Sequence, residues 1–502
     1  MTYLRGSYRF VKDERFLLLS FIFPFTIRLI PELIAGPWPL GFDTIASYAP
    51  FVREVQTYGL GPALTELLTS SHQPPAIYFL LGLLAYVPGA SPFSLVKSLG
   101  PTLYGLMGFT MYFFAIRGLR WNKEKSFLLS LVAALYFVPL RLSWDLYKNT
   151  LGYSFFLLAL VYMPRSVRKR DLLFVGIFGG LSVLSNELTA VLLGLTSAAF
   201  FCHALATKKQ WNSGALISTF SSSIGVLFYL GVLFQFPPQT SPLLALQGRS
   251  IFPYNYVGTA IDPFIYPVLG QLYLAILLLT LLMIGPLLPF ALSGFLRDSR
   301  LTLWIGVLVV ESFSVIASPY AAIPFWYRWL MMLVVPLLIL AVNGLVKAPF
   351  MVRGIFLSLL VFSSVAYLCL PPESAFPYFS NTTTLNYLPS SMLQNTVPIQ
   401  DSSDVVASIT WLNDMRYNNS VVVAPDSFAG WAQVYLDRTK AYSYLDPSEV
   451  TNGNFTSYEH VFLVYWAPGQ RWFSSESMPP GSIQIHQSGK IAIYCFMRSV
   501  RC

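Results

Sequence analysis

Charged side chains are scarce in this chain of 502 residues: they make up 11% of it, whereas hydrophobic residues make up 55%. Soluble domains carry roughly a quarter of charged residues, so this composition excludes a soluble enzyme. The sequence also lacks a Walker loop, a dinucleotide fingerprint, a His/Cys metal cluster and a G-x-S-x-G elbow. Its four cysteines are too few for a disulfide framework, although Cys495 and Cys502 both lie in the tail and are able to pair.

Long apolar runs dominate instead, and they recur from Phe16 to Leu370. A bilayer core needs about 20 apolar residues per helix, so the pattern predicts an α-helical polytopic membrane protein with about eleven spans. We place the spans near residues 16–35, 95–116, 127–141, 150–163, 172–185, 188–206, 214–235, 266–291, 301–318, 326–346 and 354–370.

Basic residues indicate the orientation of these helices. The net charge is +9, but the positive side chains sit in short loops such as "RGLRWNKEK" (Arg117–Lys125) and "RSVRKR" (Arg165–Arg170). This is the positive-inside pattern of a membrane protein and not a nucleic-acid-binding stripe. No signal-peptide cleavage site follows the basic start "MTYLRGSYRFVKDER". We therefore predict that Phe16–Ala35 is a retained first helix with a cytoplasmic N-terminus.

One apolar segment, Ala76–Val87, is too short to span a bilayer and is bounded by prolines. Counting it as a span would place the N-terminus and the "RGLRWNKEK" loop on opposite sides of the membrane. We therefore predict a re-entrant or interfacial helix within the first external loop.

The tail, residues 372–502, differs from the membrane domain, residues 1–371, because helix-like and strand-like stretches alternate in it. This alternation predicts a small extracytoplasmic α/β domain. The stretches are Ser402–Arg416, "SVVVAP" (Ser420–Pro425), a second helical stretch, "HVFLVYW" (His460–Trp466) and "KIAIYCFM" (Lys490–Met497). Sequons at Asn381, Asn418 and Asn454 support an external side, with chance occurrence as the alternative.

Polar residues in the external loops are the candidates for chemistry. Asp43, just beyond the first helix, would face the bilayer surface; the alternative is that it only caps a helix over Thr44–Tyr58. The second external loop, "RLSWDLYKNT", places four polar residues close together. Two of them, Asp145 and Lys148 at i,i+3, are also able to form a simple surface ion pair. The four are Arg141, Asp145, Lys148 and Asn149.

Further polar residues lie at the same membrane face. "SNEL" places Asn186 and Glu187 in an external hairpin, and Arg328 lies between two tryptophans at the external end of a helix. An aromatic belt explains the tryptophans but not the arginine. Arg28 and Glu32, at i,i+4 in the first helix, either pair with each other or face a polar cavity.

These side chains are predicted to converge on one cavity that contains both acids and cations. Since the chain has no nucleotide motif, a substrate assembled elsewhere and delivered in the lipid suits such a cavity. The residues are Asp43, His72, Arg141, Asp145, Lys148, Glu187 and Arg328.

The order of these motifs resembles the GT-C superfamily of integral-membrane glycosyltransferases, which use polyprenyl-phosphate-linked sugars. Members include protein O-mannosyltransferases, aminoarabinose transferases and the catalytic subunit of oligosaccharyltransferase. The resemblance rests on "GFDT…Y", "HQPP", "SWDLYKNTLG", "LSNELTAV" and "YRWLMMLVVPL". In the tail, "SITWLNDM" ahead of "SVVVAPDSFAGW" is similar to the external domains of archaeal members.

The resemblance implies inverting transfer of a sugar from a polyprenyl (dolichyl) phosphate to a protein, lipid or glycan acceptor outside the cell membrane. The family's first-loop carboxylate falls on Asp43, implying the catalytic base, and its second-loop acid falls on Asp145. The family's late basic residue falls on Arg328, implying contact with the lipid phosphate. Substrate contacts are expected from His72, Arg141, Lys148, Asn149, Glu187 and Arg328.

The chain departs from oligosaccharyltransferase, which has paired acids in its first loop and a WWDYG-like motif in its tail. Here the first-loop acid is single, and "AGWAQVY" (Ala429–Tyr435) is only a faint echo of that motif. These departures favour a transferase that moves one sugar without a cofactor or divalent metal. The external loop over residues 236–263 is predicted to be a lid.

Two other functional classes remain open. One is a transporter or lipid flippase without catalysis, although internal repeats typical of transporters are not evident. The other is a scaffold whose external domain binds a partner.

Overall fold

The structure, a computed structural model, describes most of the chain. The described residues are 2–71, 73–165, 169–208, 212–235, 268–319, 326–371, 397–415, 419–437, 439–444, 457–471 and 478–496, with 395, 450 and 455 as single positions. His72, the predicted lid and the three sequons lie outside them.

Helices fill the membrane domain, and each of the eleven predicted segments is helical over most of its described length. The bounds are α1 Thr2–Ile34, α2 Ala49–Tyr58, α3 Leu60–Glu66, α4 Pro75–Leu84, α5 Pro92–Phe113, α6 Lys123–Leu135, α7 Phe137–Asp145, α8 Tyr147–Tyr162, α9 Lys169–Ser185, α10 Glu187–Lys208, α11 Ser213–Gln235, α12 Leu269–Met283, α13 Leu288–Ser293, α14 Ser299–Ala317, α15 Trp326–Lys347 and α16 Phe350–Cys369.

Seven helices within the described residues are long and apolar enough to cross a membrane, or up to eight if a bent pair is counted as one span. The helical character predicted from the sequence is confirmed, and the apolar helices support a multi-pass membrane protein. The count of about eleven spans stays a prediction, because helices such as α8 and α9 rise only about 25 Å.

The helix predicted over residues 127–141 is wrong as a single rod, because α6 and α7 meet at a bend of 66°. Pro139 explains the break: a proline has no N–H for the carbonyl of Leu135, and its ring clashes with that carbonyl. Neighbouring hydroxyls take over the freed carbonyls. Ser364 donates to Leu135, and Tyr104 donates to the two preceding carbonyls at 3.0 and 3.1 Å. The break is tolerated in apolar surroundings because these carbonyls keep partners.

The segment predicted as the second external loop, "RLSWDLYKNT", is also mostly helical. α7 ends at Asp145 and α8 begins at Tyr147, so that only Leu146, with a ψ of 55°, leaves helical geometry. Every residue of α7 is buried. The loop prediction is wrong because the charged residues of this segment find partners inside the protein rather than in water.

The segment predicted as the first external loop is built from short helices. A π-helical turn over Thr44–Tyr48 leads into α2, which confirms the helix predicted over Thr44–Tyr58. α4 has ten residues and rises about 15 Å, half of a bilayer core. Its length agrees with a re-entrant or interfacial helix.

The described part of the tail contains a five-stranded sheet in the order β2-β1-β3-β5-β4. β1 is parallel to β2 and β3, and β5 is antiparallel to β3 and β4. The bounds are α17 Ser402–Asp414, β1 Ser420–Pro425, α18 Asp426–Tyr435, β2 Lys440–Tyr444, β3 His460–Trp466, β4 Ser482–Ser488 and β5 Ile491–Phe496. The three predicted strands are confirmed as the central ones, β1, β3 and β5.

Helix α18 joins the tail to the segment predicted as the first external loop. Gly430 brings the α18 backbone so close to the carbonyl of Ile45 that a Cβ at this glycine would overlap with it. Trp431 packs edge-on against Trp38 and Phe93, with ring centroids 5.6 and 5.1 Å apart. The tail and the loop therefore share one apolar core.

Close packing between α13 and α15 gives a test of this fold. A Cβ added at Gly344 would overlap with the carbonyl oxygen of Phe290, so Gly344→Ala should destabilise the protein by about 1–3 kcal/mol. Gly306→Ala is the matched control, because nothing lies within 4 Å of that Cβ and alanine is favoured over glycine in an open helix by about 0.5–1 kcal/mol. Thermal unfolding in detergent measures both, and equal midpoints would contradict the packing.

Candidate functional site

The turn before Asp43 is fixed to the break between α7 and α8. Gly41 has a φ of +93°, and a Cβ at this position would overlap with Asp145. Both the conformation and the close approach therefore require glycine. The backbone N–H of Phe42 donates to Asp145 Oδ2 at 3.0 Å. Asp43, the next residue, is placed beside Asp145 by these contacts.

The second oxygen of Asp145 contacts Arg141. Arg141 Nη1 pairs with Asp145 Oδ1 across one turn of α7, and both side chains are only 3% exposed. The alternative of a surface ion pair between Asp145 and Lys148 is therefore wrong: the partner of Asp145 is Arg141, and the pair is buried. The Lys148 ammonium donates instead to Gln73 Oε1, in the segment predicted as the first external loop.

Acids and cations surround Asp43. Its side chain makes no capping hydrogen bond to the π-helical turn that follows it. The alternative that Asp43 only caps a helix is therefore not supported. Burial raises the pKa of the Asp43 carboxyl, and the Asp145 charge adds to that rise. The cations that oppose it are Arg328, Lys148 and Arg141. The structure thus brings together these five residues, which the sequence had placed on one membrane face.

Tyrosines that sequence reasoning missed lie at the same place. Tyr48 accepts a hydrogen bond from the Lys148 backbone N–H at 3.4 Å, and its ring stacks on Tyr147 with centroids 5.1 Å apart. Tyr78 shares a hydrogen bond with the Ser47 hydroxyl. Only two signals for the residues that were missed are present in the sequence. Tyr48 lies within "GFDT…Y", and Gln73, the partner of Lys148, lies within "HQPP".

The junction of α9 and α10 supplies a third side of the site. Asn186 Oδ1 accepts hydrogen bonds from Asn149 Nδ2 at 3.4 Å and from the Thr189 N–H at 3.1 Å. Asn186 Nδ2 donates to Glu187 Oε2 at 3.3 Å. Asn149, Asn186 and Glu187 are all buried, which is unusual for polar residues in a turn between helices.

A buried network ties α1 to the end of α7. Arg28 pairs with Glu32 at 2.7 Å, which confirms the first of the two alternatives given above, that they pair with each other. Arg28 also donates to the backbone carbonyls of Ser143 and Trp144 at 3.3 and 2.9 Å. Lys97 lies 3.7 Å from the Glu32 carboxylate and donates to the Glu32 carbonyl at 2.7 Å. These contacts fix the last turn of α7.

The described residues do not meet the requirements of a metal site, and they contain one cysteine of a disulfide. No group of three His, Cys, Asp or Glu residues there could hold a metal ion. Cys202 and Cys369 are free thiols, whereas Cys495 is disulfide-bonded. The partner expected for it, Cys502, lies outside the described residues, as does His72.

Among known proteins, no protein-family model matches this chain and no curated protein matches its sequence. Inference about its function therefore starts from the geometry of the site.

The close approach of Gly41 to Asp145 is directly testable. Gly41→Ala introduces both positive-φ strain, about 1–2 kcal/mol, and an overlap with Asp145 that costs a further ~1–3 kcal/mol. Gly36→Ala is the matched control, since Gly36 has a φ of +66° with nothing within 4 Å of its Cβ. Thermal unfolding should show the larger loss for Gly41→Ala. Equal losses would mean that the turn is free to move away from α7.

Proposed function

We propose that this chain is an integral-membrane glycosyltransferase that moves one sugar from a polyprenyl-phosphate carrier to an acceptor hydroxyl. The observation that carries the proposal is the grouping of Asp43, which is partly exposed, with three cations in a protein of long apolar helices. Such a transfer needs a base for the acceptor and positive charge for the departing phosphate.

Asp43 is the proposed general base. It takes the proton of the acceptor hydroxyl while the hydroxyl oxygen forms a bond to the anomeric carbon of the sugar. The bond from that carbon to the phosphate oxygen breaks, and its electron pair leaves with the lipid phosphate. The raised pKa of Asp43 makes the ionised carboxylate a stronger base than an ordinary aspartate.

Arg328 and Lys148 are the proposed partners of the lipid phosphate. They are 9% and 7% exposed, and cations in a partly dry site stabilise developing negative charge more strongly than cations in water. The planar guanidinium of Arg328 fits two phosphate oxygens. Asp145, which pairs with Arg141, positions the turn that carries Asp43.

The proposed location is the cell membrane, with a cytoplasmic N-terminus and an extracytoplasmic tail. The basic loops between apolar helices support this orientation. The disulfide at Cys495 supports it independently, because structural disulfides persist in oxidising compartments.

Cysteine labelling tests the orientation. In a background with Cys202→Ser and Cys369→Ser, the variant Ser403→Cys should react with a membrane-impermeant thiol reagent in intact cells. Glu124→Cys is the matched control at the start of α6 and should not react, although both positions are exposed. Labelling of Glu124→Cys from outside would overturn the orientation and the side proposed for the site.

Asp43→Asn tests the chemistry. The substitution keeps the size of the side chain and removes its basicity, so the rate should fall by about 10²–10⁴-fold. The measurement is release of polyprenyl phosphate by purified protein in proteoliposomes, supplied with a panel of polyprenyl-phosphate sugars and hydroxyl acceptors.

Binding of the donor should survive in Asp43→Asn, whereas Arg328→Ala should weaken it.

The pH profile provides a second readout of the same base. A base acts only when ionised, so the wild-type rate is present above the pKa of Asp43 and is lost as the pH falls through it. The acidic limb of the pH–rate profile should therefore have its midpoint above the pKa of about 3.9 of an unperturbed aspartate. A folded Asp43→Asn protein with the wild-type rate would rule out this mechanism. Movement of the donor across the membrane without release of lipid phosphate would identify a flippase.

A further inference from the structure

Glu187 is a buried carboxylate whose hydrogen-bonding capacity is largely unused. It is 4% exposed and is the first residue of α10. Within the described residues it belongs to no ion pair, and its side chain accepts one hydrogen bond, from Asn186. A carboxylate has about four acceptor positions. The start of a helix offsets part of the cost of burying its charge but fills none of those positions.

The amides beside Glu187 are held in fixed orientations. Asn186 Oδ1 is occupied by the Thr189 N–H at 3.1 Å and by Asn149 Nδ2 at 3.4 Å. These contacts turn Asn186 Nδ2 towards Glu187. The three side chains therefore form one row of donors and acceptors that can bind neighbouring hydroxyl groups.

Tyr78 lies near both this row and the proposed base. The Tyr78 hydroxyl shares a hydrogen bond with Ser47, in the turn that follows Asp43. Burial raises the pKa of Tyr78, and the charges of both Asp43 and Glu187 raise it further. Tyr78 thus lies within the electrostatic reach of both carboxylates. Asn149 directly follows Lys148, a proposed partner of the lipid phosphate, so a sugar on that phosphate would lie close to this row.

We propose that Glu187, oriented by Asn186 and supported by Asn149, binds hydroxyl groups of the transferred sugar and selects an uncharged hexose over a hexuronate. The inference rests on the proposed glycosyl transfer and adds a substrate class to it. Hydroxyl groups donate strong, charge-assisted hydrogen bonds to a carboxylate. A sugar carboxylate in the same place would meet a buried like charge, which is a repulsive element of specificity.

The test compares donors that differ only at C6. Polyprenyl-phosphate glucose, mannose and galactose are each paired with the corresponding uronate, so that CH₂OH is replaced by a carboxylate. Wild-type protein should release lipid phosphate from a hexose donor at least about 10²-fold more efficiently, in kcat/KM, than from its uronate, because like charges placed together cost several kcal/mol. In Glu187→Gln, kcat/KM for the hexose donor should fall by about 10–100-fold, the usual effect of losing one charge-assisted hydrogen bond. The ratio of kcat/KM for hexose to kcat/KM for uronate should also become smaller.

The preference, rather than the rate, separates recognition from a structural role. A purely structural Glu187 would slow both donors by the same factor and leave their ratio unchanged in Glu187→Gln. Glu66→Gln, which removes an exposed carboxylate of α3, is the control and should leave rates and ratio as in wild type. Equal use of hexose and uronate by wild-type protein, or an unchanged ratio in Glu187→Gln, would overturn the inference alone. Failure to release lipid phosphate from any donor would overturn the proposed function instead.

Discussion

The carboxylate of Asp145 makes two contacts on which the rest of the candidate site depends. One oxygen pairs with Arg141 within α7, and the other accepts a hydrogen bond from the Phe42 N–H, in the turn that follows α1. Charge-assisted hydrogen bonds are strong where water is excluded, and a buried carboxylate that loses a partner destabilises a protein by several kcal/mol. Loop and helix are therefore held together at one point. Gly41 permits that contact by having no side chain, and Asp43 follows it directly.

The Asp145 contact is possible only because the helix before it is broken. A straight continuation of α6 would carry Arg141 and Asp145 along its own axis, whereas the bend of 66° turns α7 away from it. Arg28 then holds the far end of α7 through the carbonyls of Ser143 and Trp144. Ionisable groups that are buried in a protein are expensive unless they are paired. Here each of them holds a backbone turn or another charge in place.

Local patterns predicted much of the fold, because apolar length and strand-like runs are properties of short segments. The long helices and the central strands follow from them. The edge strands β2 and β4 were missed because their residues are partly polar; β4 reads "SIQIHQS" and is half-exposed. The break at Pro139 had a local signal, but the length of the apolar run concealed it. Residues of the candidate site were predictable where a charged residue has apolar neighbours in the sequence, as Asp43 and Arg328 have. Tyr78 and Ser47 resemble ordinary helix residues, and the choice of Arg141 over Lys148 as the partner of Asp145 depends on tertiary geometry.

The contact between Gly430 and Ile45 also constrains the biogenesis of the protein. A chain grows from its N-terminus at about 5–20 residues per second, so the ~390 residues between Asp43 and Gly430 take roughly 20–80 s to synthesise. During that interval the turn after Asp43 has been made, but the helix against which it packs has not. A nascent or truncated chain therefore carries the turn after Asp43 without the helix that packs against it. Synthesis of α18 therefore sets the moment at which this contact is able to form.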